Sequence, residues 1–365
     1  MAAPHPLEEE ALRDKTIVDA WNGPGQRDGE LTVVTAQDNA LHPAEDKRAF
    51  EHWYFDAHLD SGHTIIGFLT KRRPEQPATC DPSVEILVYY PDGTRRQINA
   101  SYPKSQGSFS TEQSDVRIGP NWCRSDYPAD RLPTHHVHLQ EEDVVLDLEF
   151  ANEVPSWIPG SSRTTYGGDQ FFAWCVAAPR ARVTGTITIG DETIDATGTG
   201  YHDHNWGVGD MKRIIDRWHW GRLYTPDYTM LFATVLTQKR WDNHLSTAVM
   251  IARHDKVLLS SGEFILSEGP MPYDDVAHRT RPEWIQLTSP GEFDLRLDVQ
   301  RISHAHDLLD DVPVARSRFV KPIVHALVGR PGYFRFDSAY DLRISLDGVD
   351  EQLQGRPLHE MVALS

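Results

Sequence analysis

Residues 182–201 read RVTGTITIGDETIDATGTGY, and this stretch decides the fold class. Apolar and polar residues alternate from Arg182 to Ile189, turn at Gly190-Asp191-Glu192 and return through Thr193 to Tyr201. Alternation with period two on both sides of a glycine-containing turn is typical of a β-hairpin. The sequence therefore predicts two strands here, the second of which runs into an aromatic segment.

The same pattern recurs along the whole chain, whereas only two short helices are predicted, Gly209 to Arg217 and Val314 to Leu327. Many strands joined by short turns indicate an all-β protein of antiparallel barrels or sandwiches. Because so many strands split into separate packed units, we expect two β-domains, 28–208 and 209–365. The further predicted strands or hairpins lie at 84–100, 136–150, 229–237, 246–253, 256–260, 284–297 and 333–346.

Composition excludes several classes of function. The 365 residues include 36 Lys and Arg against 54 Asp and Glu, a formal charge of -18, which disfavours nucleic acid and anionic membrane surfaces as partners. The sequence predicts neither a signal peptide nor a transmembrane segment, so we expect a cytoplasmic protein. Cys80, Cys123 and Cys175 are too sparse to predict disulfides or a zinc site.

The strongest local signal is Gly198-Thr199-Gly200-Tyr201-His202-Asp203-His204-Asn205-Trp206-Gly207. Trp218-His219-Trp220-Gly221-Arg222 follows, and Asp227-Tyr228 opens the next predicted strand. So many titratable and aromatic groups are unfavourable in a core unless each polar group is paired, and such clusters often mark functional sites.

Three interpretations of this cluster stay open from the residues alone. His202 and His204 would share one face of a strand and begin a metal site, completed by His219 or Asp227. The polar groups would otherwise form a buried network that joins two sheets. In the third interpretation, Asp203 or Asp227 is a buried carboxyl that stays protonated near neutral pH and acts as a general acid beside a histidine.

A second signal, Phe50-Glu51-His52-Trp53-Tyr54-Phe55-Asp56, predicts a strand. Alternation would put His52, Tyr54 and Asp56 on one face, and Trp53 and Phe55 on the other. Taken alone, an aromatic strand of this kind is more often part of the core than of a site.

These two motifs together resemble the carotenoid 1,2-hydratase (hydroxyneurosporene synthase)/AttH-type lipocalin-like family, which is related to the lipocalin-like Diels–Alderases. Residues 50–56 are similar to its Glu-Trp-Trp-Tyr-Phe-Asp signature, with His52 in place of the first Trp. Residues 200–207 with 218–222 resemble its most specific block. The resemblance implies two consecutive lipocalin-like antiparallel β-domains, with a pocket at their interface.

The resemblance also implies acid-catalysed hydration or cyclisation of an apolar, unsaturated small molecule, such as a polyene, an isoprenoid or a polyketide. It implies neither a metal nor an organic cofactor, and a lipid-soluble substrate would be reached at a membrane periphery. Catalytic candidates are His204, Asp227, Asp203, Trp206 and Tyr228. Substrate-binding candidates are Trp53, Tyr54, Tyr201, Trp218 and Trp220.

We expect His204, Trp206 and Asp227 to border one cavity, which Trp53 or Tyr54 closes. Protonation of an alkene needs a strong acid held dry, and aromatic faces would stabilise the resulting cation by roughly 0.5–2 kcal/mol each. Two alternatives are retained: a pericyclase, in which similar walls orient a polyene without a proton donor, and a non-catalytic carrier of hydrophobic ligands. We also expect His202, His204 and His219 not to bind a transition metal jointly.

Overall fold

A computed structural model describes residues 15–22, 31–73, 79–311 and 330–364. They divide into two compact units. The first contains described residues 15–20, 31–73, 79–210 and 254–256, and the second contains 21–22, 211–253, 257–311 and 330–364. The domain boundaries 28–208 and 209–365 stay a prediction, and the predicted helix at 314–327 lies outside the described residues.

The first unit is built on one antiparallel sheet. Its strands run in the order β5-β4-β3-β2-β14-β12-β10-β9-β8-β7-β6, with β11 and β13 attached to β12, and β1 to β11. The strands are β1 (Ile17–Val18), β2 (Ala49–Leu59), β3 (Thr64–Arg72), β4 (Ser83–Tyr89), β5 (Arg95–Ser101), β6 (Gly107–Phe109), β7 (Asp115–Ile118), β8 (Asn121–Asp126), β9 (Thr134–Glu141), β10 (Val144–Asn152), β11 (Arg163–Tyr166), β12 (Phe171–Ile189), β13 (Glu192–Asp195) and β14 (Gly198–Val208).

The second unit repeats this architecture with a second antiparallel sheet. Its strands run in the order β18-β17-β16-β15-β26-β24-β23-β22-β19, with β25 attached to β24, while β20 and β21 pair separately. The strands are β15 (Ile215–Tyr224), β16 (Tyr228–Thr237), β17 (Leu245–Arg253), β18 (Lys256–Ser261), β19 (Ile265–Glu268), β20 (Tyr273–Asp274), β21 (Arg279–Thr280), β22 (Trp284–Ser289), β23 (Phe293–Asp307), β24 (Gly332–Leu346), β25 (Val349–Gly355) and β26 (Leu358–Ala363).

The predicted all-β, lipocalin-like fold class is confirmed, and no α-helix occurs within the described residues. Alternation explains the strands: Val84, Ile86 and Val88 of β4 are buried and join the core of the first unit. None of the described helices is long and apolar enough to cross a membrane. The described helices are short 3-10 turns at Ala20–Asn22, Ala36–Asn39, Lys104–Gln106, Met211–Arg213, Lys239–Trp241 and Leu308–Asp311.

Two predicted elements differ from the structure. Instead of a helix from Gly209 to Arg217, a single turn at Met211–Arg213 leads into β15, because the β-branched residue Ile215 is buried and pairs with Thr237. The predicted strand from Thr193 to Tyr201 is interrupted at 196–197. Gly185 of β12, with a φ of 138°, lies opposite this break, and its carbonyl accepts the backbone N–H of Ala196 at 2.8 Å.

Candidate functional site

Both sequence motifs lie on neighbouring strands of the first unit, because β2 and β14 pair along their full lengths. The register sets Glu51 opposite Trp206, Trp53 opposite His204, and Tyr54 opposite Asp203. Side chains alternate across a sheet, so the two strands present two different polar groups on opposite faces. We call them the cavity face, with Glu51, Trp53, His204 and Trp206, and the Asp203 face, with Tyr54, Tyr201, Asp203 and Asn205.

On the cavity face, Glu51 is the centre of a buried cluster with His42 and His204. The Glu51 Oε1 atom lies 3.0 Å from His204 Nε2 and 3.4 Å from His42 Nδ1. It also accepts the backbone N–H of His42 at 2.8 Å. Glu51 is 3 % exposed and His204 is fully buried. The cluster is therefore a desolvated carboxylate held by hydrogen bonds from its neighbours.

The pKa values of this cluster favour an ionised Glu51 and a neutral His204. Burial raises the pKa of Glu51, but hydrogen bonds from His204 and His42 outweigh it, and the pKa lies below its usual value. Burial lowers the pKa of His204, and the hydrogen bond to Glu51 offsets only part of that effect. At neutral pH the imidazole therefore donates its Nε2–H to the carboxylate.

Aromatic rings continue this cluster on both sides. His204 stacks on Trp53, with ring centroids 4.5 Å apart and planes 11° from parallel, and its centroid is 4.8 Å from that of Trp206. Trp206 in turn stacks on His42 at 3.8 Å. Trp53 is fully buried and donates its Nε1–H to the Asn39 carbonyl, so it is a core residue rather than an exposed binding surface.

A cavity of about 740 Å³ adjoins the cluster within the first unit. His42, Glu51 and Trp206 line it, together with Phe109 and Phe171. Its volume is within the range of small-molecule sites, and its mixture of aromatic and polar walls is typical of them. All its lining residues belong to the first unit. Of the residues expected at one cavity, Trp206 lines it, whereas the others do not: Trp53, Tyr54, His204 and Asp227. Asp203 does not line it either.

Among the described residues, His42, Glu51 and His204 could hold a metal ion, since they offer ligand atoms within 4.8 Å of one another. This set differs from the histidines considered in the sequence. Nδ1 of His202 donates to the Tyr54 carbonyl at 2.8 Å, and its Nε2 lies 2.9 Å from Asn39 Nδ2. Both ring nitrogens of His202 are thus engaged, and neither is available to a metal.

The Asp203 face contains a carboxyl surrounded by hydrogen-bond donors. Trp174 Nε1 donates to Asp203 Oδ2 at 3.0 Å, and the Tyr201 hydroxyl donates to the same oxygen at 2.8 Å. Asn205 Nδ2 donates to Oδ1 at 2.9 Å. The carboxyl is 8 % exposed, while Tyr54 and Asn205 beside it are partly exposed.

Burial raises the pKa of Asp203 to about 7, although the hydrogen bonds from Trp174 and Tyr201 act in the opposite direction. A carboxyl with this pKa is part protonated at neutral pH and can give or accept a proton. The three donors would stabilise the carboxylate left after proton transfer. Asp203 therefore has the protonation behaviour that the acid–base interpretation requires.

The third motif, at residues 218–222, belongs to β15 of the second unit. Trp218 and Trp220 are partly buried, and Arg222 lies 5.9 Å from the ring centroid of Trp220. His219 is buried, and its Nε2 is 3.0 Å from Glu268 Oε1. Burial lowers the pKa of His219, so this pair is a second neutral imidazole with a carboxylate.

Asp227 and Tyr228 also lie in the second unit, Asp227 in the turn before β16 and Tyr228 at the first position of that strand. Asp227 is exposed, so it is not part of a desolvated cluster like that of Asp203. Tyr228 is buried, and its hydroxyl donates to Glu351 at 3.0 Å. The structure thus brings His204 and Trp206 together and gives Asp203 the environment of an acid, but does not do so for Asp227.

Sequence reasoning did not assign His42, Glu51 or Trp174 to the site. Glu51 has a sequence signal, since it precedes Trp53 by two positions and so shares its face. His42 and Trp174 have none, because they reach the site only through pairing between distant segments.

Comparisons with known proteins agree with the resemblance seen in the motifs. A model of the family described as Domain of unknown function (DUF7064) matches residues 35–250. A relative named hydroxyneurosporene dehydrogenase, from Chlorobaculum tepidum, is 25% identical over 54% of this chain and 59% of its own length. Ceramide-binding protein svf1 of Aspergillus fumigatus is 25% identical over 53% of this chain and 52% of its own. The matches thus span little more than half of these curated relatives.

Solved structures resemble the fold over nearly the whole chain. CghA in complex with Sch210972 superposes with a TM-score of 0.63 at 15% identity, covering 96% of this chain and 98% of its own. A protein described as AttH from Nitrosomonas europaea gives 0.56 at 15% identity, covering 93% and 98%. Kievitone hydratase from Nectria haematococca gives 0.56 at 14% identity, covering 94% and 96%. The lipocalin-like family resemblance is therefore confirmed.

Proposed function

The chain belongs to the DUF7064 family, and we propose that it is a hydratase- or cyclase-type enzyme that protonates an apolar, unsaturated small molecule. Asp203 is the proton donor in this proposal. The observation that carries it is the burial of this carboxyl among three hydrogen-bond donors, together with its pKa of about 7. The relative named for hydroxyneurosporene supports a polyene as the substrate class.

The chemistry begins with the protonated form of Asp203. An alkene is a weak base, so its protonation requires an acid shielded from water and a means of stabilising the cation that forms. Tyr201 and Tyr54 present aromatic rings beside the carboxyl, with centroids 6.1 Å apart, and such rings stabilise a cation. Water then adds to the cation and loses a proton to the Asp203 carboxylate, which gives the hydrated product and restores the acid. Alternatively, an internal double bond attacks the cation and closes a ring, and the cyclised cation loses a proton to the same carboxylate.

The conjugate base is stabilised by the same groups that position the acid. Trp174 and Tyr201 both donate to Oδ2, so negative charge that develops on that oxygen during proton transfer meets two hydrogen bonds already in place. Donors fixed before the reaction stabilise developing charge without reorganisation. In this scheme His204 and Glu51 are positioning residues. Their hydrogen bond, on the opposite face of the sheet, holds β14 in place.

A hydrophobic-ligand carrier is the second candidate function. The cavity of about 740 Å³ favours it, because its aromatic walls suit an apolar ligand. The name of the ceramide-binding relatives also supports it. A carrier binds its ligand but does not convert it.

The test is the conversion of an acyclic polyene, neurosporene, followed by the gain in mass of one water or by the appearance of a cyclised isomer. Asp203→Asn keeps the side-chain volume and removes the acidic proton. Its amide oxygen can still accept from Trp174 and Tyr201, while the Asn205 amide must turn over to accept from the new NH2 group. We expect turnover to fall by about 10² or more, the usual contribution of a general acid, while binding is retained.

Asp227→Asn is the matched comparison, because it makes the same change at an exposed carboxylate. Loss of turnover in that variant alone would transfer the acid role to Asp227. Undiminished formation of the cyclised isomer by both variants would indicate a pericyclic reaction, which needs no proton donor. Undiminished hydration by both variants would assign the acid role to another residue. Binding without conversion by the unaltered protein would support the carrier.

A further inference from the structure

Basic residues are concentrated around the cavity of the first unit. The whole chain has a formal charge of -18. The cavity wall nevertheless contains five Lys or Arg residues against three Asp or Glu residues, a local excess of two positive charges. The basic residues are Lys47, Lys71, Arg72, Lys104 and Arg163, and the acidic ones are Glu45, Asp46 and Glu51.

Two of the three acidic residues are already engaged by other partners. Asp46 forms an ion pair with Arg48, at 2.7 Å between Oδ2 and Nη2. Glu51 accepts hydrogen bonds from His204 and from the backbone of His42. Asp46 and Glu51 are therefore both held by partners other than Arg72.

Arg72, the last residue of β3, is the buried member of the basic set. It is 8 % exposed, and its Nε has no hydrogen-bond partner within the described residues. Its side chain donates one hydrogen bond, to the carbonyl of Lys47, and forms no ion pair with any described residue. A buried guanidinium without an ion-pair partner is unfavourable, and an anion that enters the cavity would supply that partner.

The remaining walls fit the apolar part of such a ligand. Phe109 and Phe171 line the cavity with Trp206. Lys71 Nζ lies 6.0 Å from the ring centroid of Phe109, and Arg163 Cζ lies 3.7 Å from that of Phe171. Both cations therefore rest against aromatic rings, and neither has an acidic partner within the described residues.

We propose that this cavity binds an amphipathic carboxylic acid, whose carboxylate pairs with the guanidinium of Arg72 and whose apolar chain lies against the aromatic walls. A carboxylate matches the planar fork of one guanidinium, and its single charge suits one buried cation. The site is on the cavity face, so the inference goes beyond the proton transfer assigned to Asp203 and does not depend on it.

Retinoic acid and retinol are the probes, because they have the same polyene chain but retinoic acid ends in a carboxylate and retinol in a hydroxyl. Each is titrated against the tryptophan fluorescence of the full chain. We expect retinoic acid to bind at least about tenfold more tightly than retinol, as a charge-assisted pair would provide. Arg72→Met should remove this preference and leave retinol affinity unchanged.

Arg182→Met is the matched control, since Arg182 is exposed on β12 and does not line the cavity. It should alter neither affinity. Arg72→Lys keeps the charge without the bidentate fork, so its preference for the acid should be intermediate. Melting temperatures show whether each variant is folded, and Arg72→Met should not lower stability if the guanidinium has no structural counter-charge.

Equal affinity for acid and alcohol, or unchanged acid binding in a folded Arg72→Met variant, would overturn the carboxylate assignment while the Asp203 mechanism stands. Tighter binding of retinyl phosphate than of retinoic acid would also overturn the carboxylate assignment, because it would indicate a phosphate ligand. If Arg72→Met loses both its affinity for retinol and its stability, Arg72 has a structural role. Absence of binding by all three probes would reject the cavity as a site for such ligands.

Discussion

The indole of Trp174 and the carboxyl of Asp203 are joined across neighbouring strands, with Nε1 3.0 Å from Oδ2. This hydrogen bond favours the ionised carboxyl, whereas burial favours the protonated one. The opposition of the two effects brings the pKa of Asp203 to about 7, where small changes of environment alter its protonation. The stability of the first unit should therefore depend on pH near neutrality.

Asp203→Asn should change the pH dependence of stability. The pKa of Asp203 in the folded protein, about 7, lies above the ordinary aspartate value of 3.8, so the folded state keeps a proton that the unfolded state loses. The free energy of unfolding therefore falls as pH rises from about 4 to about 7, by on the order of 4 kcal/mol. The Asn variant lacks this loss. Urea unfolding at pH 5 and pH 8 measures the free energy of unfolding of both proteins. We expect the stability of the variant relative to the parent to be higher at pH 8 than at pH 5.

A stability difference between variant and parent that is the same at both pH values would contradict this assignment. Asp227→Asn is the control, because it makes the same substitution at an exposed position.

His204→Ala should destabilise the first unit strongly. The substitution leaves the Glu51 carboxylate buried without its imidazole partner and removes the stacking on Trp53. Breaking a buried pair by deleting one partner typically costs about 3–5 kcal/mol. Denaturant unfolding of the single variant and of His204→Ala/Glu51→Gln measures the effect, and the double variant should recover part of the loss because it buries no charge.

His138→Ala is the matched comparison for that prediction. His138 Nδ1 lies 2.6 Å from Asp147 Oδ1, but this carboxylate is 57 % exposed. Removal of an exposed pair should cost less than about 1 kcal/mol. If His138→Ala and His204→Ala lower the free energy of unfolding equally, the burial of Glu51 has no energetic importance.

Gly207→Ala should disrupt the cavity wall. A Cβ on Gly207 would overlap the carbonyl oxygen of Phe171 and approach Cζ of Phe50 to 2.6 Å. Backbone atoms cannot move aside without disturbing the pairing of β12 with β14, so we expect a loss of about 1–3 kcal/mol or more. Gly332→Ala is the control, because its nearest contact would be an ordinary 3.4 Å. Thermal unfolding compares the two, and unchanged stability of the Gly207→Ala variant would indicate a looser wall.

The strands could be predicted from sequence because alternation is a local property. The hairpin of β4 and β5 was predicted from Val84 onwards, and the strand assignment of Trp53 to Asp56 is confirmed within β2. The predicted helix at Gly209 to Arg217 was wrong because pairing of β15 with two neighbours overrides a weak local preference. Local patterns therefore predicted most elements, but not where a strand begins or is interrupted.

The site was harder to predict, because its contacts join residues far apart in the chain. Asp203 and Asp227 are equivalent as letters in a sequence, and only burial distinguishes them. The sequence contained no signal for Arg72 or His42. Arg72 is important because it lacks an ion-pair partner, and His42 because it contacts Glu51, and neither property can be seen in the sequence. The motifs indicated the strands of the site, whereas the environment of each side chain required the structure.

The pairing of β2 with β14 also constrains the order in which the chain can assemble during synthesis. Glu51 and His204 are 153 positions apart, so a growing chain offers β2 without this neighbour until β14 has left the ribosome. One edge of β2 stays open during that interval, with Trp53 and Phe55 beside it. Unpaired edges with apolar side chains invite association with other chains. Newly made chains should therefore be most dependent on chaperones just before residue 208 emerges.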